Sequence, residues 1–197
     1  MQAQTLEGGF AEPATQAAGA FRAVMEAMAR PGTIHDITGA QPPAPLSRAA
    51  GAVILTLCDT DTPLYLAGDA DCRAVRDWIA FHTGAPFTGR SHCTFAIGTW
   101  EALMPLSGYP VGTAQYPDRS ATLIVETERL AHEGTVLRGP GIRDNATLSL
   151  PDAQALRANH ALFPRGLDFI WTCDGRIAAL PRSTQICHPD TEAAPCT

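Results

Sequence analysis

Apolar side chains along this chain of 197 residues recur first at the spacing of helices. Residues 15–30 place apolar side chains at i, i+3, i+4 and i+7, and Pro31-Gly32 then ends the predicted helix. Residues 46–58 are apolar nearly all round, which indicates a buried helix with Ser47 in the N-cap position. Further helices are predicted at residues 71–83, at residues 101–107 and from Pro151 onward.

Shorter apolar runs between turn-forming residues predict strands. The strongest turn signal is Asp174-Gly175, which predicts a hairpin between residues 168–173 and 176–180. The remaining strands are predicted at residues 33–37, 64–67 and 93–98, and in an antiparallel meander of residues 121–126, 135–137 and 147–150. Because helices stand before, between and after the strands, the pattern favours an α/β fold with one mixed sheet covered by helices on both faces.

Charge and composition exclude several classes of function. The formal net charge is −6 and no basic cluster is present, which argues against binding to nucleic acid or to an anionic membrane. The longest apolar run is about half of what a membrane-spanning helix needs, and the N-terminus lacks a signal-peptide pattern, so we expect a cytoplasmic protein. All 14 basic side chains are arginine. Without lysine, the chain forms neither a P-loop nor the Schiff base of a pyridoxal phosphate enzyme.

The chain reads as one α/β domain over residues 1–186, followed by a flexible tail over residues 187–197 that is rich in Pro, Asp and Ala. Its six cysteines include no Cys-x-x-Cys pair. Because nothing indicates secretion, we interpret them as reduced and structural. The six histidines are scattered singly, so no metal site is expected.

One stretch, residues 135–142, draws attention as a candidate binding bend. Strand-like residues lead into Arg138 and then into Gly139-Pro140-Gly141. The glycines allow another backbone or a ligand to approach without meeting a Cβ. Arg138 carries a planar donor fork that suits phosphate or phosphonate oxygens. The alternative is a plain bend that joins two strands.

Three other arginines stand beside bends rich in Pro and Gly. Arg30, Arg165 and Arg182 could converge with Arg138 on a triphosphate or a phosphonate, and Asp168 could orient one of the guanidinium groups. The alternative is that these arginines pin loops or a dimer interface through salt bridges. The last candidate, His82, closes the apolar face of the helix at residues 71–83, where histidines are more often packed than functional. The sequence contains no nucleophile and base signature of an acyl-transfer enzyme.

Several motifs, in order along nearly the whole chain, resemble the H subunit of the carbon–phosphorus lyase core complex of bacterial phosphonate metabolism. Each motif is weak alone, but their order and spacing together are fairly specific. The motifs are Phe21-Arg22 with Met28-Ala29-Arg30-Pro31-Gly32, Leu55-Thr56-Leu57 with Asp61-Thr62-Pro63, Phe81-His82-Thr83 with Pro86, Gly139-Pro140-Gly141-Ile142, Phe163-Pro164 with Gly166 and Asp168, and Leu180-Pro181-Arg182-Ser183-Thr184.

The resemblance implies a three-layer α/β/α fold related to the pyridoxal-phosphate transferases, but without the cofactor. It implies a homodimer that joins the G, I and J subunits. With G, I and the L subunit, the chain would help to exchange adenine of ATP for an alkylphosphonate, giving α-D-ribose 1-phosphonate 5-triphosphate. The nucleosidase chemistry belongs to the I subunit by the same analogy, so we expect this chain to be inactive alone.

Two hypotheses therefore stand for the role of the chain. In the first, the chain contributes substrate contacts within a multisubunit phosphonate transferase. In the second, it is a structural dimeric scaffold that docks catalytic subunits. Clustering of Arg138, His82 and Arg182 around one concave pocket would favour the first hypothesis. Dispersal of these residues, together with exposed apolar surface, would favour the second.

Overall fold

The computed structural model describes residues 7–187. The helices within that range are α1 (Pro13–Ala29), α2 (Arg48–Leu57), α3 (Arg73–His82), α4 (Trp100–Leu103) and α5 (Ala153–His160). The strands are β1 (His35–Asp36), β2 (Leu64–Leu66), β3 (Phe95–Thr99), β4 (Thr122–Glu126), β5 (Thr135–Arg138), β6 (Ala146–Leu148), β7 (Asp168–Cys173), β8 (Arg176–Leu180) and β9 (Gln185–Ile186).

A six-stranded mixed sheet forms the centre of the fold, in the order β1-β8-β7-β4-β3-β2. Strands β2, β3, β4 and β7 run parallel, whereas β8 is antiparallel to β7 and β1 is antiparallel to β8. The predicted hairpin is confirmed because β7 and β8 pair across Asp174, whose φ of 53° suits the tight turn. The mixed α/β class is therefore as predicted.

The predicted meander is wrong in one of its strands. β4 lies between β3 and β7 in the main sheet, while β5 pairs with β6 and β9 in a separate three-stranded antiparallel sheet. The continuous buried run from Leu123 to Val125 explains the position of β4, because a parallel strand covered on both faces is apolar throughout. The single sheet that the pattern favoured is thus two sheets.

The helices agree with the prediction to within a few residues. Helix α2 is capped by Ser47, whose Oγ accepts a hydrogen bond from the Ala50 N–H at 3.1 Å, as predicted. The stretch predicted as a helix at residues 101–107 is instead the short α4 followed by a 3-10 turn at Leu106–Gly108. Pro105 lies between them and cannot donate the backbone hydrogen bond that would continue α4.

Apolar side chains of the main sheet form two cores, one on each face. Ile97, Ile124 and Ile170 pack with α1, α2 and α3 in one core. Leu123, Phe169 and Trp171, from alternate positions of the same strands, pack in the other core with α4, α5 and the three-stranded sheet. The second face is therefore covered partly by a sheet.

The last described residue remains hydrogen-bonded to β5. After β9, the Cys187 N–H still donates to the Val136 carbonyl at 2.9 Å, so the pairing with β5 continues to that residue. The rest of the predicted flexible tail, residues 188–197, lies outside the described residues, and so do residues 1–6.

Candidate functional site

Arg182 and Asp168 form the most highly connected polar group that the structure describes, here called the Arg182 junction. The hairpin brings the start of β7 next to the end of β8, so the Arg182 N–H and Nε donate to Asp168 Oδ1 at 2.8 and 3.1 Å, and Nη2 donates to Oδ2. The guanidinium also donates to the Pro117 carbonyl and the Ser120 hydroxyl. The two charged side chains are only 14% and 16% exposed.

The junction joins four parts of the chain. Arg182 ties the loop before β4 to the β7–β8 hairpin, and the Arg182 carbonyl lies 2.9 Å from Nδ1 of His160 on α5. Nε, Nη1 and Nη2 of Arg182 all donate hydrogen bonds within the chain, which indicates a structural role for this arginine.

The bend after β5 brings Gly139 and Gly141 against other backbone segments. An added Cβ on Gly141 would lie 1.9 Å from the Ala29 carbonyl oxygen at the end of α1. One on Gly139 would lie 3.2 Å from the Ser183 carbonyl oxygen. Both glycines have positive φ, at 128° for Gly139 and 82° for Gly141. The close contact that the sequence predicted at these two glycines is therefore made by backbone atoms of other segments of the chain.

Arg138, the last residue of β5, differs from Arg182 in its surroundings. It lies opposite Gln185 of β9, and its side chain is half-buried. Its Nε is buried and has no hydrogen-bond partner among the described residues. Since a guanidinium remains charged at any physiological pH, a buried N–H without an acceptor is costly.

The other two predicted arginines are exposed. Arg30 caps the end of α1, next to the residues that Gly141 contacts, and pairs with Glu26 at 3.4 Å. Arg165 lies in the turn after α5, where its N–H donates to the Leu162 carbonyl at 3.0 Å. Exposed ion pairs such as that of Arg30 contribute little to stability.

His82 lies away from these arginines, at the end of α3. Its ring packs against Trp78 and Phe81, with ring centroids 5.0 and 4.9 Å apart, and its Nε2 is 3.3 Å from the Glu7 carbonyl oxygen. Trp78 belongs to the core on the face opposite the three-stranded sheet that carries Arg138. The structure therefore separates His82 from Arg138.

Two cavities are notable. One, of about 330 Å³, is lined by Gly8, Gly9, Phe10, Pro13, Leu55 and His82. The other, of about 230 Å³, is almost wholly apolar and is lined by Met104, Leu106, Ser107, Val111, Ala155, Ala158, Asn159, Leu162 and Leu167. None of the predicted arginines lines either cavity.

Sequence reasoning missed two half-buried charged residues. Glu126, at the end of β4, accepts from the Ser47 N–H at 2.7 Å and from Oγ1 of Thr172 at 2.9 Å, and burial raises its carboxyl pKa. Arg157, on α5, has a buried Nη1 without a partner in the described part of the chain. Neither residue stands in a recognisable motif, so no local signal marked them.

The described histidines, cysteines and carboxylates were predicted to form no metal site, and the cysteines were interpreted as reduced and structural. Within residues 7–187 no three His, Cys, Asp or Glu side chains are grouped to hold a metal ion. The five cysteines in that range are free, and burial raises the thiol pKa of Cys58 to about 12 and that of Cys93 to about 11. Such thiols stay protonated and weakly nucleophilic.

No helix within residues 7–187 is both long and apolar enough to cross a membrane.

Comparison with known proteins agrees with the resemblance found in the sequence. A family model described as "Bacterial phosphonate metabolism protein (PhnH)" matches residues 8–187. A relative from Rhizobium meliloti (strain 1021), "Alpha-D-ribose 1-methylphosphonate 5-triphosphate synthase subunit PhnH", is 42% identical over 194 residues, which cover 94% of this chain and 97% of the relative. The predicted likeness to the H subunit is thereby confirmed. The chain belongs to the PhnH family of bacterial phosphonate metabolism proteins.

Proposed function

We propose that this chain is a non-autonomous subunit of a carbon–phosphorus lyase system. Together with G, I and L subunits, it helps to form α-D-ribose 1-phosphonate 5-triphosphate from ATP and an alkylphosphonate, with release of adenine. The observation that carries the proposal is the 42% identity, over nearly the full length of both chains, to a synthase subunit. We further propose a cytoplasmic homodimer that also contacts the J subunit.

The proposed relation to the pyridoxal-phosphate transferases concerns the fold and not the chemistry. A mixed sheet with a core on each face is compatible with a three-layer α/β/α arrangement. All 14 basic residues are arginine, so no side chain can form an internal aldimine with pyridoxal phosphate. We therefore propose that the chain works without a cofactor.

Within this function, we assign the substrate contact to the Arg138 bend. Arg138 combines a fixed charge with a buried N–H that has no acceptor in residues 7–187. Its neighbours Gly139 and Gly141 hold the bend against Ser183 and Ala29, which fixes the position of the strand end. Asp168 and Arg182 support this region through their mutual pairing, while Arg30, Arg165 and His82 remain weaker candidates.

A structural scaffold is the second candidate, and two observations favour it. The predicted residues are dispersed, since His82 and Arg138 lie on opposite faces of the main sheet. Large apolar side chains are also exposed: Phe163, 57% exposed, and Leu162, 37% exposed, follow α5 at the apolar cavity that Leu162 helps to line. Exposed apolar surface of this kind suits a protein interface.

Reconstitution with an adenine-release assay tests the proposed function. The chain alone should release no adenine from ATP, and the G, I and L mixture should lose most of its turnover when this chain is omitted. Turnover by the isolated chain would refute the subunit role, and undiminished turnover without the chain would refute its necessity.

One substitution separates substrate contact from scaffolding. Arg138→Ala should leave the assembled complex intact on size-exclusion chromatography while lowering turnover by about tenfold or more, because a charge-assisted contact is lost. The matched control is Arg143→Ala, in the loop after β5, whose side chain is 96% exposed. If Arg138→Ala and its control behave alike, the scaffold hypothesis is the better one.

A further inference from the structure

Helix α1 carries apolar side chains on two of its sides. Ala20, Val24 and Ala27 are buried in the core that α1 shares with α2 and α3. Phe21 and Met25, one helical turn apart, are each 52% exposed. Single exposed apolar residues are common on protein surfaces, whereas large neighbouring ones mark a surface that meets another protein.

The exposed apolar residues of α1 follow the spacing of paired helices. Ala14, Ala18, Phe21 and Met25 are exposed and succeed one another at intervals of 4, 3 and 4 residues. This is the a/d spacing at which the side chains of one helix fit between those of another. At about 100° per residue, the four side chains lie within a narrow strip along the helix, here called the α1 seam.

The order of side-chain sizes makes the α1 seam complementary to a second copy of itself. Ala14 and Ala18 are small, and Phe21 and Met25 are large. In an antiparallel pair of α1 helices about a two-fold axis through the middle of the seam, Phe21 of one copy lies opposite Ala18 of the other. Met25 then lies opposite Ala14, so each large side chain meets a small one. A parallel pair would instead set Phe21 against Phe21 and leave gaps at the alanines.

The exposed area of the α1 seam suits the core of a small interface. A phenylalanine side chain that is half exposed offers about 100 Å² of surface, and the whole seam offers on the order of 300 Å² per copy. Specific interfaces bury about 800 Å² per partner, and weak ones bury less. Thr15 and Arg22 are exposed beside the seam and supply the polar rim that surrounds such a core. A pair of seams therefore matches a dimer that dissociates at micromolar concentration.

We propose that the α1 seam binds a second copy of this chain, with the two α1 helices antiparallel. This inference rests on the homodimer of the proposed function and assigns the surface that forms it. The apolar cavity that Leu162 helps to line is a separate surface, because its walls belong to the core on the other face of the main sheet.

Sedimentation equilibrium of the full-length chain tests the seam. The parent protein should dimerise between about 1 and 100 µM, and Phe21→Arg should raise the dissociation constant by about tenfold or more. The matched control is Phe81→Arg on α3, where the side chain is 57% exposed, and it should change the constant by less than about twofold. Melting temperatures within a few degrees of the parent show that both variants are folded. A monomeric parent, or equal effects of the two variants, overturns the proposal.

A mixing experiment tests the antiparallel register. Ala18→Glu and Phe21→Arg should each be monomeric alone, because each places a charge twice in the apolar seam. In an equal mixture, the introduced glutamate of one chain faces the introduced arginine of the other, and the second pair keeps Phe21 and Ala18. The mixture should therefore recover dimers, and a mixture that stays monomeric overturns the register.

The oligomeric state and the adenine-release assay fail independently. If Phe21→Arg stays dimeric while turnover of the G, I and L mixture requires the chain, the proposed function stands and the seam is wrong. If Phe21→Arg is monomeric but omission of the chain leaves turnover unchanged, the seam stands and the proposed function is wrong. A monomeric parent whose co-purification with the G and I subunits is lost in Phe21→Arg would show that the seam binds another subunit and not a second copy.

Discussion

Two half-buried carboxylates lie at opposite ends of one pair of parallel strands, and their surroundings stabilise them in different ways. Asp168 begins β7 and is in register with Thr122, while Glu126 ends β4 and is in register with Thr172. Asp168 binds the guanidinium of Arg182. Among residues 7–187, the donors to Glu126 are neutral: the Ser47 N–H and the Thr172 hydroxyl.

The difference shows what burial demands of an acidic side chain. A carboxylate removed from water needs either a cation beside it or a proton on it. Arg182 supplies the cation at one end of the strands. At the other end, burial raises the pKa of Glu126, so the proton is held more tightly than in water. The first arrangement makes stability depend on Arg182, and the second makes it depend on pH.

Removal of the cation should have the largest effect. Arg182→Ala leaves Asp168 buried without its charged partner and frees the Pro117 carbonyl and the Ser120 hydroxyl. We expect the free energy of unfolding to fall by about 3 kcal/mol, measured by urea denaturation. Arg165→Ala, at an exposed arginine, is the control and should change it by less than about 0.5 kcal/mol. A loss below about 1 kcal/mol in Arg182→Ala would show that Asp168 tolerates burial alone.

Loss of the helix cap next to Glu126 should have a smaller effect. Ser47→Ala removes the hydroxyl that accepts from the Ala50 N–H, but it keeps the backbone N–H that donates to Glu126. The expected cost is about 1 kcal/mol, the usual value of an N-cap. Ser107→Ala, at an exposed serine in a 3-10 turn, serves as the control in the same urea experiment. Equal stability of the two variants would mean that Glu126 alone fixes the start of α2.

Local sequence signals predicted the end of the molecule that holds Asp168 better than the end that holds Glu126. Asp174-Gly175 determines the β7–β8 hairpin, and that hairpin alone brings residues 168 and 182 together, 14 positions apart. Glu126 and Ser47 are 79 positions apart and meet only because β4 lies inside the main sheet. Strand neighbours depend on the whole topology, and the spacing of β4, β5 and β6 along the chain favoured a meander instead.

The candidate site shows the same limit. Helix α3 and the position of His82 at its end followed from apolar spacing, and the close approach at Gly139 and Gly141 followed from the Gly-Pro-Gly pattern. The separation of His82 from Arg138 could not be predicted from a local pattern, because it depends on which face of the main sheet each element covers. Arg157 was missed because the burial of its Nη1 arises from tertiary packing, which no local sequence pattern records.

The pH dependence of Glu126 should be the smallest and most specific effect. Because its pKa is raised in the folded state, the folded protein binds the proton more tightly than the unfolded chain does. The stabilisation is therefore fully present below the pKa of the unfolded chain and is lost as the pH rises through the raised pKa. Glu126→Gln keeps the shape of the side chain without a titrating group.

The measurement is the difference in free energy of unfolding between the parent protein and Glu126→Gln, taken from about pH 4 to about pH 7. As the pH rises, the parent protein should lose stability relative to Glu126→Gln. Only the parent must carry a negative charge at this half-buried position. The other titrating groups are common to both proteins and cancel in this difference. A difference that stays constant over this range would mean that Glu126 has the same pKa in the folded and the unfolded protein. The neutral donors would then stabilise the Glu126 carboxylate as well as Arg182 stabilises that of Asp168.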